Sequence, residues 1–161
     1  LREAVEMKAL CARYGVPFIV NDDVEIAIES GADGVHVGQS DMEAGHVRAL
    51  AGSGMIIGVS ARTVEEALAA QRAGADYLGV GAMFSTSTKL DAHVLSLETL
   101  RDICAAVSIP VTAIGGINRE NIGRLSGSGA NGVALVSAIF AAEDIESECR
   151  ALRALAEEMA V

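Results

Sequence analysis

Six short apolar runs, "PFIV", "GVHV", "MIIGVS", "YLGVGAM", "PVTAIG" and "GVALVS", recur along the chain with helical segments between them. This alternation constrains the fold more than any other feature. The runs are nearly continuous in apolar character, so each is covered on both faces, and strands of that kind belong to parallel sheets flanked by helices. The helical segments carry their own punctuation. In "TVEEALAAQRAG", Thr63 stands as N-cap, Glu66 follows three residues later to complete a capping box, and Gly74 marks the stop. "NRENIGRLSGSG" has the same outline from Asn118, with Asn121 in place of the acid, and predicts another helix. At the start of the chain, Leu1, Ala4, Val5, Met7, Leu10, Cys11 and Tyr14 predict a helix with a buried stripe.

A weak repeat ties the units together. "SGADGVHV", "AGADYLGV" and "SGANGVAL" each place Gly, Ala, then Asp or Asn immediately before an apolar run. The Gly ends the helix in a left-handed conformation, and the acid or amide supports the turn into the strand.

Repeated strand-helix units give either an open doubly wound sheet or a closed eight-stranded barrel. No Gly-rich dinucleotide loop follows the first run, which weakens the open-sheet reading. Six units in 161 residues make roughly 27 residues each, so eight need about 215, within the range of a small barrel. The expectation is an α/β protein of the (β/α)8 TIM-barrel class. Residues 1–161 would form a single domain holding about six of the eight units. Because the chain starts at Leu1, already inside a helical pattern, the first two strands are expected to be missing.

Charge narrows the function. A formal net charge of -10 with no Lys/Arg cluster argues against nucleic acid, and an anionic substrate would need a metal ion, a placed Lys or helix N-termini to offset the field. Cys11, Cys104 and Cys149 are odd in number and widely spaced, so neither a disulfide framework nor a zinc site follows and a reducing cytoplasm is the default. No apolar run approaches the roughly 18 residues of a membrane span. A homo-oligomer is possible, but nothing in the sequence sets it.

In both architectures ligands bind outside the C-terminal strand ends. Those ends carry Asn21 and Asp22; Gln39 and Asp41; Ser60; Thr86, Thr88 and Lys89; Gly115 and Gly116; and Ser137. If Asp22 and Asp41 converge to about 4 Å, their repulsion at an effective dielectric near 20 is about 4 kcal/mol. Either one carboxyl is protonated or a cation lies between them, and Mg²⁺ is typically held by one or two carboxylates together with substrate phosphate oxygens. The competing role for the acids here is capping of the helix that starts near Val24, for which Asp23 is the better placed.

"FSTSTKLDA" offers three hydroxyls and a Lys that could wrap a diphosphate, though a polar loop of this kind is commonly just solvated. Gly115 and Gly116 permit close backbone approach to a phosphate, and Ser137 adds a hydroxyl; a simple tight turn is the alternative. His36, inside "GVHVG", is expected to be a satisfied interior side chain, and His46 and His93 have no evident partner.

The stretches "PFIVNDDVEIAIESGADGVHVGQSDM", "IIGVSARTVEEALAAQRAGADYLGVGAMFSTSTKLDA", "IPVTAIGGINREN" and "GANGVALVSAIF" resemble the thiamine-phosphate synthases, collinearly from about Leu10 to Phe140. The resemblance implies a (β/α)8 barrel that joins an aminopyrimidine diphosphate to a thiazole phosphate and releases diphosphate. It further implies that Asn21, Ser60 and Lys89 contact the pyrimidine diphosphate, with Lys89 and Ser60 as the catalytic pair. Asp22 and Asp41 would hold Mg²⁺. Thr86, Ser87, Thr88, Gly116, Val136 and Ser137 would receive the thiazole phosphate. Two departures stand out. The family's Gln-Leu-Arg-Glu-Lys segment has no counterpart, and Arg62 occupies a position where relatives often carry His. The rival readings are a thiazole tautomerase-like isomerase, which relies on that His, and a non-catalytic phosphate-ligand-binding or regulatory barrel.

Overall fold

The computed structural model describes residues 1–85 and 94–160. Within them the six apolar runs form six strands: β1 (Ile19–Asn21), β2 (Gly34–Val37), β3 (Ile56–Ala61), β4 (Tyr77–Val80), β5 (Val111–Ile114) and β6 (Gly132–Ala134). They make one parallel sheet in the order β1-β2-β3-β4-β5-β6. Each strand pairs with its sequence neighbour, so the strand order never reverses. A doubly wound sheet requires such a reversal, whereas a barrel wall does not. The sheet curls as a half-barrel of TIM type.

Helix α1 (Arg2–Arg13) precedes β1, and α2 (Val24–Glu29), α3 (Ala44–Ala51), α4 (Val64–Arg72), α5 (Leu97–Ala106), α6 (Ser137–Phe140) and α7 (Ile145–Met159) connect or follow the strands. The core lies between helices and sheet, where Val35, Ile57, Leu78 and Val111 from the strands meet Ala27, Val47, Leu100 and Ile103 from the helices, all essentially inaccessible to water. Burying a side chain such as Leu100 stabilises the fold by about 1.5–3 kcal/mol.

Local chemistry sets the helix starts. Asp23 Oδ1 accepts from Ile26 N at 2.9 Å, so this residue is the cap of α2 as expected. Thr63 Oγ1 accepts from Glu66 N at 3.2 Å, and Glu66 Oε2 accepts from Arg62 N at 2.7 Å, one residue earlier than an ideal capping box would have it.

The repeated joint does more than turn the chain. Gly31, Gly74 and Gly129 take positive φ, at +64°, +93° and +86°. The following acid or amide then reaches across to the neighbouring strand. Asp33 Oδ2 accepts from Phe18 N at 2.7 Å, Asp76 Oδ2 from Ile57 N at 2.7 Å, and Asn131 Oδ1 from Val111 N at 2.8 Å. In each case the backbone N–H of the same residue donates back to the partner's carbonyl. The repeat precedes β2, β4 and β6, and ties them to β1, β3 and β5 at the end of the sheet remote from the polar rim.

Two expectations need correction. The segment from Asn118 is not an α-helix but a loop with a short 3₁₀ turn, Ile122–Leu125. Asn118 Oδ1 accepts from Glu120 N, Asn121 Oδ1 accepts from Asn118 N, and Asn121 Nδ2 donates to the Gly116 carbonyl, each at 2.9 Å. These side chains offer the backbone partners that a helix would otherwise supply. The stripe on α1 is the second case. Leu1, Val5, Met7, Leu10 and Tyr14 are all exposed, because no described strand precedes α1 for it to cover. Lys8 Nζ holds the helix to Asp33 Oδ1 at 2.5 Å.

Candidate active site

The C-terminal strand ends face one rim, and at β1 the backbone itself is unusual. Asp22 is the one non-glycine residue with positive φ, +68°, among the described residues. Asp and Asn are the non-glycine residues that adopt this conformation most readily, because a short polar side chain can bond locally. Here the Asp22 N–H donates to the His36 carbonyl at 2.8 Å, one step past the paired end of β1, and Asp23 N donates to the Asn21 carbonyl at 2.9 Å. The tight turn separates the jobs of two adjacent acids. Asp23 caps its helix through Oδ1, and both Asp22 and Asp23 border a depression with Val24, Glu25, Asp41 and Met42.

Asp41 arrives from the loop after β2, where its Oδ2 accepts from Gly38 N at 2.6 Å. Asp22 and Asp41 both line this depression. Two carboxylates on a solvent-facing depression fit the demand of Mg²⁺, which takes one or two protein carboxylates and completes its shell with water and phosphate. Among the described residues, no group of three or more His, Cys, Asp or Glu is placed to hold a metal ion.

Behind the acids sits His36. Its Nε2 lies 2.9 Å from Ser60 Oγ and its Nδ1 lies 3.0 Å from the Tyr77 hydroxyl. Both ring nitrogens are therefore satisfied, as expected of an interior histidine. Burial lowers the imidazole pKa, opposed by the charges of Asp22 and Asp41, and burial also raises the pKa of the Tyr77 phenol. Room for the rings comes from β3 and β4. A Cβ at Gly58 would fall 2.2 Å from Tyr77 Cζ and 2.4 Å from His36 Nδ1, and one at Gly79 would fall 2.9 Å from His36 Cε1. The role of Tyr77 was not read from the sequence. The signal for it was the pair of glycines inside otherwise apolar strands, which marks space reserved for a neighbour.

Ser60 is fixed twice over, since Gln39 Nε2 donates to its carbonyl at 2.6 Å. Asn21 is exposed at the end of β1. Arg62 follows β3, with its backbone engaged by Glu66.

On the opposite part of the rim, Met83 N donates to the Ile114 carbonyl at 2.9 Å and Phe84 N to that of Gly115 at 3.0 Å. The segment leaving β4 therefore runs along the glycine pair. Gly116 has φ +64°, and a Cβ there would lie 2.4 Å from the Ser85 carbonyl oxygen, so only glycine allows this approach. Val136 and Ser137 begin α6, with Val136 about half exposed. Thr86, Ser87, Thr88 and Lys89 lie outside the described residues, as does His93.

Comparison with known proteins shows the family. The family model described as thiamine monophosphate synthase matches residues 1–139. The chain is 53% identical over 151 residues to the thiamine-phosphate synthase of Ruminiclostridium cellulolyticum, covering 94% of this chain and 72% of that protein. It is also 53% identical over 148 residues to the thiamine-phosphate synthase of Clostridioides difficile, covering 92% and 70%. The solved thiamine phosphate pyrophosphorylase from Pyrococcus furiosus superposes with a TM-score of 0.89 at 41% identity, over 98% of this chain and 78% of that one.

Proposed function

This chain belongs to the thiamine monophosphate synthase family, and from that premise we propose how its residues divide the work of a thiamine-phosphate synthase. Its relatives are transferases of thiamine biosynthesis. The reaction proposed for this chain joins a pyrimidine-methyl diphosphate to a thiazole phosphate with release of diphosphate. The observation that carries the reading is the depression shared by Asp22 and Asp41 on the rim that also holds Ser60.

The chemistry asks for leaving-group stabilisation and positioning more than for a strong base. When the methylene–diphosphate bond breaks, negative charge grows on the departing diphosphate while the pyrimidine-methyl carbon becomes cationic and is captured by the thiazole nitrogen. In a protein of net charge -10, stabilising that departing anion needs dedicated groups. Asn21 and Ser60 would donate hydrogen bonds to it, with Lys89 adding charge. Asp22 and Asp41 would hold Mg²⁺, which when bound supplies further neutralisation of the diphosphate. Thr86, Ser87 and Thr88, with Gly116, Val136 and Ser137, would hold the thiazole phosphate. The glycine pair beside the exit of β4 supports that assignment, since backbone N–H groups approach a phosphate most closely where no Cβ intervenes.

The tautomerase reading loses support from Arg62, which stands where that chemistry needs His, and from the pairing of Asp22 with Asp41. The chain is proposed to work as one (β/α) barrel domain. No helix among the described residues is long and apolar enough to cross a membrane, and we propose a cytoplasmic location. The test is diphosphate release by the protein supplied with both substrates and Mg²⁺. Binding of the thiazole phosphate without product would favour a regulatory barrel, and thiazole isomerisation without coupling would favour the tautomerase.

A further inference from the structure

We infer that His36 is a positioning residue, whose place between Tyr77 and Ser60 turns the Ser60 hydroxyl proton outward toward the anionic oxygens of a diphosphate. This rests on the reading of Ser60 as a diphosphate contact.

A neutral imidazole has one N–H donor and one bare nitrogen, so the chain Tyr77–His36–Ser60 can run in two directions. In one, His36 Nδ1–H donates to the phenol oxygen and Nε2 accepts the Ser60 proton. The Ser60 hydroxyl then spends its only donor on the protein interior. In the other, the Tyr77 O–H donates into Nδ1, and Nε2–H donates to Ser60 Oγ. The Ser60 proton is then left for the rim.

The second direction is the better matched chemically. A phenol is a stronger donor and a weaker acceptor than an aliphatic alcohol, because its oxygen lone pair is delocalised into the ring. Imidazole's bare nitrogen is a strong acceptor. Pairing phenol donor with imidazole acceptor, and imidazole donor with serine oxygen, uses each group in its stronger role, and such chains polarise cooperatively in a low-dielectric site. Contacts at 3.0 Å and 2.9 Å place both hydrogen bonds at ordinary length. The geometry is also enforced sterically, since Gly58 and Gly79 leave a slot that the two rings fill at a centroid separation of 5.4 Å. The Ser60 backbone cannot swing away from the ring because Gln39 holds its carbonyl.

The experiment has two arms. The first records ¹⁵N spectra of the histidine ring nitrogens of the protein at neutral pH, with His36 assigned by His36→Gln. The expected result is a protonated Nε2 and a bare Nδ1; a protonated Nδ1 overturns the inference. The second measures binding of inorganic diphosphate with Mg²⁺ by calorimetry. His36→Gln keeps an amide N–H near the position of Nε2, whereas the shorter His36→Asn reaches Tyr77 but not Ser60. Affinity should fall about tenfold for His36→Asn and only about two- to threefold for His36→Gln. Equal losses in both, with both folded by circular dichroism, would mean that the ring merely fills space. Should the His36 variants not fold, Tyr77→Phe keeps the ring and removes the donor into Nδ1. It should weaken diphosphate binding severalfold by removing the polarising donor at the end of the chain, and unchanged affinity overturns the inference. Failure of the unaltered protein to bind diphosphate counts against the Ser60 assignment, while the tautomer spectrum decides the inference independently.

Discussion

Asp76 and Ile57 are joined twice: the Asp76 carboxylate accepts the Ile57 N–H at 2.7 Å, and the Asp76 N–H donates to the Ile57 carbonyl at 2.7 Å. The same carboxylate oxygen also takes Arg48 Nη2 at 2.6 Å, and Arg48 reaches the carbonyls of Gly52, Met55 and Gly74. One side chain thus registers β4 against β3, and one guanidinium ties α3 to both joints beneath it.

Replacing Asp76 by Ala leaves the N–H of Ile57, a fully buried residue, without its side-chain acceptor, a loss of about 1–3 kcal/mol. Asp76→Asn should cost less, because Asn131 performs the same task for Val111 in the third copy of the joint. Urea denaturation of the two variants checks the ranking, and an Asn variant no better than Ala would contradict the shared role.

Acid stability should depend on Asp33. Its pKa is held below the ordinary value of an aspartate, 3.8, chiefly by the hydrogen bond from Lys8, then by that from Phe18 N. A carboxyl with a depressed folded pKa contributes stability that is present above the unfolded value and is lost as pH falls through the folded one. The contribution of Asp33 should therefore be intact above pH 3.8 and disappear below it. Asp33→Asn retains an acceptor for Phe18 N but has no titration, so its unfolding free energy, measured by urea denaturation at a series of pH values, should fall less steeply in that window.

Asp22→Asn tests charge apart from shape. Asn tolerates positive φ as readily as Asp, so the +68° turn and the fold should survive. Diphosphate release should nevertheless fall by about two orders of magnitude, as expected when a charge acting on the departing group is lost. Turnover at the normal rate under limiting Mg²⁺ would remove Asp22 from the proposed metal site.

Gly116→Ala should separate the glycine pair from a mere turn. With φ at +64° and a Cβ falling 2.4 Å from the Ser85 carbonyl oxygen, the chain must shift there. A cost of about 1–3 kcal/mol is expected, accompanied by a raised KM for the thiazole phosphate. A lower melting temperature with unchanged KM would leave the pair a structural turn only.

Much of this was legible in sequence because it is local. The strands lie in the six apolar runs, Asp23 and Thr63 cap where their spacing indicated, and the acidic strand end at Asn21 and Asp22 lies on the rim beside Asp41. The segment from Asn118 misled because helix and Asx turn begin with the same residue types. Which one forms depends on whether the side chain bonds forward to a helical N–H or back to a loop, as Asn121 does with Gly116.

The sequence by itself determined the alternation of strand and helix, the capping and the residue types at each strand end, since propensity, period and capping act over a few neighbours. Only the tertiary structure decided what those residues meet. The repeated acid could be assigned to a turn from sequence, but its true partner is a backbone N–H on the next strand, 15 to 20 residues away. His36 meets Ser60 and Tyr77 across separations of 24 and 41 residues. Contacts of that span depend on register and on sheet curl, which are set by the packing of the whole barrel wall and leave no periodic trace in the chain.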